Sequence, residues 1–157
     1  MRTIVGIDPG ITGALAVMID GRLTTIYDMP VNEGRADGSR LTEMLSALER
    51  DNAHVILEDT QPMPKNGSIA SFKLGLNTGI VIGVVQALSL PLRRVRPADW
   101  KRGQGLLGKT KNASRGLATE LYPAFANQFR MVKNDGRAEA ALIARHGLSV
   151  LIKEGAA

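Results

Sequence analysis

The chain has no cysteine and only two histidines, His54 and His146, in 157 residues. The first absence excludes a disulfide framework and any zinc site built on thiolates. The second leaves too few imidazoles for a histidine-rich metal centre. Chemistry that needs a metal must therefore be sought among carboxylates. A cysteine-free chain suits a reducing cytoplasm. Met1-Arg-Thr leads directly toward a strand, without the pattern of a secretory leader, so a cytoplasmic location is expected. Internal repeats and low-complexity segments are missing as well, which excludes solenoids and linker-rich architectures. Charge is missing from a single long run, Leu74 to Leu92. That run could be read as a membrane span. Its Asn77, Thr78, Gln86 and Ser89, and its place between two strand signals, favour a buried packing helix, so no membrane association is expected.

What the chain does contain is an ordinary globular composition, 44% hydrophobic, with 20 Lys and Arg against 15 Asp and Glu, a net charge of +5. The excess of positive charge favours a polyanionic partner without locating a site. The length fits a single domain over residues 1–157, with enough chain for a real core. The stretch Thr3-Ile-Val-Gly-Ile-Asp-Pro-Gly-Ile-Thr-Gly-Ala-Leu-Ala-Val17 organises the rest. It reads as a strand, a tight turn carrying Pro9, Gly10 and Gly13, and a second strand. Alternation places Ile4, Gly6 and Asp8 on one face and Val5 and Ile7 on the other. A carboxylate ending a buried strand is costly unless a partner, a proton or a cation offsets it, although Asp8 could also simply cap the Pro9-Gly10 turn.

Further along, strands are expected at Ala14–Ile19 and Leu23–Asp28, joined by the hairpin signal Asp20-Gly21. Residues 30–38 read as a mobile polar loop. Ser39 is placed to cap a helix bearing Leu41, Met44, Leu45 and Leu48. His54–Glu58 is a short buried strand, and 61–68 is a loop. A long helix is expected over 69–90, with Ile80 and Val84 covering the sheet and Gly75, Gly79 and Gly83 on another face. A fifth strand spans 91–95, and a turn leads into a short helix at Trp100. The segment Lys101–Lys111 is a flexible basic loop. Asn112 and Asn134 can cap two further helices, over 113–122 and 135–146.

The acids carry the chemistry. Asp8 and Glu58 lie at strand ends, and Asp135 and Glu139 share one face of the last helix. Small residues from Ala138 to Ala141 would let that helix approach the sheet. Gathered at one edge, the four would form an oxygen-rich pocket for hard divalent cations. Two such ions about 3.5–4 Å apart can activate water and stabilise the leaving oxygen of a phosphodiester. Taken alone, Asp135 and Glu139 read more simply as solvated acids favoured at a helix start.

Gly6-Ile-Asp-Pro-Gly-Ile-Thr-Gly13, then Leu57-Glu58, then Asp135-Gly-Arg-Ala-Glu-Ala-Ala-Leu-Ile-Ala144 resemble the RuvC family of Holliday junction resolvases, in a phage-type version. The run Trp100–Arg115, with Glu120-Leu-Tyr-Pro123, is similar to that family's basic central segment. The likeness covers roughly residues 3–147, with the motifs in the family's order. It implies an α/β, RNase H-like fold: a five-stranded mixed sheet, three antiparallel strands then two parallel, flanked by helices. It implies that Asp8, Glu58, Asp135 and Glu139 hold Mg²⁺, with Mn²⁺ able to substitute, and that a homodimer cuts two strands of a four-way junction symmetrically, in a bacterial or phage-infected cytoplasm. Two departures stand out. The family's last two acids are usually three apart and both Asp, whereas here they are four apart and the second is Glu. The aromatic residue that follows the second acid in bacterial members has no counterpart in Asp59-Thr-Gln-Pro-Met63.

The expectation is thus a Mg²⁺-dependent, structure-specific DNA endonuclease leaving 5′-phosphate and 3′-hydroxyl ends. Lys101 and Lys111 are assigned to the scissile or flanking phosphate, with Lys111 stabilising developing charge. Arg96, Arg102, Lys109 and Arg115, together with Arg93 and Arg94, would widen the phosphate footprint without reading bases. A related nuclease acting on forks, flaps or RNA, or a non-catalytic branched-DNA-binding module, would share many of these features. An actin-like kinase shares the first motif but would need a second phosphate loop and more than twice the length.

Overall fold

The computed structural model describes residues 2–49 and 53–155, with Glu49 described by its backbone alone. β1 (Thr3–Asp8), β2 (Ala14–Ile19) and β3 (Arg22–Asp28) form an antiparallel meander. β6 (His54–Glu58) and β7 (Leu92–Val95) add to the other side of β1 in parallel, giving a five-stranded sheet in the order β3-β2-β1-β6-β7. The expected mixed sheet is therefore present. The β2–β3 turn has Asp20 and Gly21 both at positive φ, 48° and 81°, the twist a two-residue hairpin requires.

Alternation along the strands sorts the side chains into two cores. Val5, Ile7, Leu15, Val17, Val55 and Leu57 face α1 (Gly38–Glu49) and α2 (Ser68–Ala87). Ile4, Ala14, Ala16, Met18 and Ile56 face α6 (Asp135–Gly155), with α3 (Pro97–Arg102), α4 (Lys111–Leu121) and α5 (Ala126–Phe129) packed around it. α6 lies unusually close to β1. A Cβ on Gly6 would collide with the backbone of Ala140 and Ala144, and one on Gly147 with the side chain of Ile56. The small residues of α6 are what allow this approach, as the Ala138–Ala141 patch suggests.

Several local expectations give way to tertiary contacts. Residues 30–38 hold a small hairpin, β4 (Val31–Asn32) and β5 (Arg35–Ala36), pinned because the Ala36 N–H donates to the buried Asn77 side-chain oxygen on α2 at 2.9 Å. The α1 cap is Asp37 rather than Ser39: its Oδ1 accepts from the Ser39 and Arg40 N–H groups at 3.0 and 3.1 Å. α4 starts at Lys111, so Asn112 lies inside it and accepts from Arg115 at 2.7 Å. Asn134 belongs to a 3-10 turn ahead of α6. α6 continues past Gly147 to Gly155, and the glycine there leaves room for Ile56, which fills the space that a side chain at 147 would need.

α2 ends at Ala87, and by length and composition it could cross a membrane. Here it lies on the sheet through Val81 and Val85, with Asn77 and Thr78 also buried. Ile80 and Val84, expected against the sheet, are partly buried against the same core and also approach Gly38 at the start of α1. The positions a Cβ would take on Gly75, Gly79 and Gly83 meet nothing within 4 Å, so this face is open.

Candidate active site

Parallel pairing aligns Ile7 with Leu57, so Asp8 and Glu58 are the next residues on adjacent strands. Both have the parity of the residues that face α6, Ile4 and Ile56. α6 brings Glu139 to the same face, and the turn after β1 fits against its first residues: a Cβ on Gly136 would strike the Thr12 and Gly13 backbone. Glu58 and Glu139 are 7% and 5% exposed, so their charges sit where solvent screens them poorly.

Burial pushes Asp8 up to about 6, with the Glu58 charge acting in the same direction; the Gly10 N–H, Lys111 and Lys101 oppose it. Burial likewise pushes Glu139 up to about 7, against Lys111 and Lys101 and helped by the charges of Asp8 and Glu58. The three acids thus feel one another. Glu139 Oε1 is buried and accepts no hydrogen bond; Lys101 Nζ stands 3.9 Å away. Asp8 Oδ1 accepts from the Gly10 N–H at 3.1 Å, so the turn-capping role and the place at the acid cluster coexist. Glu58 is held on both oxygens, Oε1 by the Trp100 indole N–H at 2.9 Å and Oε2 by the Thr60 hydroxyl at 2.8 Å.

Asp135 has other company. Its Oδ1 accepts from Arg115 at 2.7 Å, and both side chains are largely buried, 16% and 13% exposed. Sequence reasoning assigns Asp135 to the metal and Arg115 to phosphate; the structure pairs them with each other. Among the described residues, no group of three or more acids or histidines is arranged to hold a metal ion as it stands. A hard cation nevertheless suits this donor set. An orphaned, buried carboxylate oxygen on Glu139 and two acids pushed up by burial and, to a lesser extent, by neighbouring carboxylates are the features that a divalent charge relieves.

Of the basic residues, Lys101 and Lys111 act on both Asp8 and Glu139. Arg96 and Arg102 flank Asp99 in exposed ion pairs at 2.8 and 3.3 Å, and Lys109 is exposed. Arg94 bonds Asp59, beside Glu58. Arg93 forms a two-pronged pair with Glu154, at the opposite end of α6 from Glu139. Sequence reasoning missed Trp100 and Thr60 as partners of Glu58. The only signal for either was position, since Thr60 follows the second acid by two and Trp100 opens the basic run.

In three dimensions the chain is similar to Thermus thermophilus RuvC, solved alone and in complex with a Holliday junction substrate. Against the complex the TM-score is 0.65 with 16% identity, covering 100% of this chain and 98% of that one. Against RuvC alone it is 0.66 with 17% identity, covering 94% and 96%. The fold is that of RuvC. The likeness spans the whole chain, from β1 to α6. In sequence, the chain is 34% identical over 94 residues to the chloroplastic Holliday junction resolvase MOC1 of Chlamydomonas reinhardtii. That match spans 59% of this chain but only 11% of the length of MOC1. No family model matches the chain.

Proposed function

We propose that the protein is a metal-dependent DNA endonuclease that resolves four-way junctions. The observation that carries the reading is the convergence of Asp8, Glu58 and Glu139, three acids that are largely buried, at one end of a sheet with the RuvC fold. A relative named as a Holliday junction resolvase supports the same substrate. A module that only bound DNA would gain nothing from negative charge gathered where phosphate must approach.

Asp8, Glu58 and Glu139 would hold Mg²⁺, or Mn²⁺ in its place, and Asp135, whose Oδ1 accepts from Arg115, could join them through Oδ2. The bound cations would supply the charge that activates the attacking water and offsets the leaving oxygen. Lys111, whose charge acts on both Asp8 and Glu139, would take up charge on the phosphate in the transition state. Lys101 would hold the flanking phosphate. Arg96, Arg102 and Lys109 extend a basic surface from α3 to α4 that would position the backbone. The exposed pairs of Arg96 and Arg102 with Asp99 are weak enough to open onto phosphate.

A junction offers two equivalent strands, and a two-fold homodimer would match their symmetry. The open glycine face of α2 is the surface that would meet its copy. The deciding experiment incubates purified protein with labelled four-way junction, fork, flap and linear duplex, with and without Mg²⁺. Paired symmetric nicks in the junction alone support the proposal. Preferential cutting of forks or flaps would move the substrate, and Mg²⁺-independent inertness on every substrate would sink the nuclease reading.

A further inference from the structure

Trp100 is fully buried, and its indole N–H donates to Glu58 Oε1 across 42 residues of sequence. Pro97 opens the six-residue helix α3, which sets Trp100 beneath the end of β6. The next residue, Lys101, points to Glu139 at 3.9 Å and lies 5.1 Å from the Trp100 ring centre. Gln104, at the end of the same turn, donates its amide N–H groups to the carbonyls of Trp100 at 3.3 Å and of Leu142 on α6 at 3.0 Å. α3 is therefore a brace between β6 and α6, and one dipeptide touches an acid on each.

We infer that Trp100 is a positioning residue for the metal-ligating carboxylate of Glu58. The inference rests on the nuclease reading and adds to it the part that orients its second acid. An indole N–H donates and cannot accept, so its bond fixes one carboxylate oxygen in one direction; the Thr60 hydroxyl fixes the other. Both donors are neutral, so the carboxylate keeps its full charge for a cation, and each oxygen keeps a free lone pair. Outer donors of this kind set ligand orientation, and their loss costs about 10–100-fold in metal affinity. A purely structural Trp100 would fill space in the core around α6, and its replacement would affect stability alone.

The two roles separate in Trp100→Phe, which keeps an aromatic ring and removes the donor. Calorimetric titration of the DNA-free protein with Mn²⁺ should show affinity reduced about 10–100-fold. Thr60→Val, at a partly exposed position, should reduce it several-fold and guards against a misfolded Trp100 variant. Mn²⁺ affinity within twofold of wild type in either folded variant overturns the inference. Trp100 is the single tryptophan, so the bond can also be read directly. In ¹⁵N-labelled protein its lone indole N–H resonance should move upfield in Glu58→Ala, and a resonance that stays put overturns the inference whatever the cation result. A wild-type protein that binds no Mn²⁺ would instead overturn the nuclease reading, with the indole resonance still deciding whether Trp100 holds Glu58.

Discussion

Asp8 and Glu139 are costly to the fold in their charged forms, a cost that the proposed metal site would offset. Their carboxyls sit at about 6 and about 7 in the folded chain, against about 4 when unfolded. A group raised in this way contributes its stability at pH below the unfolded value and loses it as pH rises through the folded value. Between about pH 4 and 7 these two acids therefore make the metal-free protein less stable as pH rises. Asp8→Asn should stabilise the folded chain at pH 8 by about 1–3 kcal/mol, read as a raised melting temperature, and leave its stability nearly unchanged at pH 4. The same substitution should slow single-turnover cleavage at least about 100-fold, since several kcal/mol of transition-state stabilisation are lost. Junction binding in a gel-shift assay should hold or tighten, because a negative charge near phosphate is gone. Cleavage at more than a few per cent of the wild-type rate would remove Asp8 from the site. Mg²⁺ should reverse the alkaline loss of stability in the wild type, as a ligand that binds only the folded state does.

The contrast between α6 and α2 belongs to the scale of elements. Both are long and carry glycines, but the glycines do opposite things. Gly6 and Gly147 are occupied by a neighbour's atoms, so Gly6→Ala should cost about 3 kcal/mol or more, measured by denaturant unfolding, as the α6 backbone is pushed off the sheet. On α2 the three glycines face open space next to exposed Ile69 and Phe72, which are 74% and 69% exposed. Each glycine costs the helix about 1 kcal/mol relative to alanine, and no contact within the described chain offsets that cost. A close approach by a second copy would. Gly79→Leu should therefore fold, sediment as a monomer and nick junctions once without coordinated resolution. A dimer that still makes paired cuts would place the subunit contact elsewhere.

At the scale of the whole molecule, the net charge of +5 is distributed unevenly between site and counter-ion. Arg93, Arg115 and Arg137 are bound into pairs with Glu154, Asp135 and Asp28, while Lys101, Arg102, Lys109 and Lys111 fall on one run beside the acids. Junction affinity should drop with salt by about 0.9 in log units per phosphate contact for each log unit of salt. Arg102→Ala should flatten that slope by about 1. Lys111→Ala should instead slow cleavage about 100-fold at saturating enzyme. If the two variants lose binding alike and keep the wild-type single-turnover rate, Lys111 is a binding residue only.

What the sequence determined by itself was the local and periodic part. The alternation in Thr3–Asp8, the Asp20-Gly21 hairpin and the acids ending β1 and β6 depend on neighbours two or three residues away, and each appears where the pattern puts it. Glu139 was legible because a helix face is set by spacing alone. Tertiary structure decided the rest. Whether Asp135 joined Glu139 or turned to Arg115 depended on where α4 packs against α6. Asp37 displaced Ser39 as a cap, and Asn77 ordered the 30–38 segment, through contacts that no local window contains. Trp100 reaches Glu58 only because α3 is braced across two elements. A hydrogen bond between residues 42 apart has no signature in spacing; it exists because burying an indole N–H without an acceptor costs more than the chain can spare.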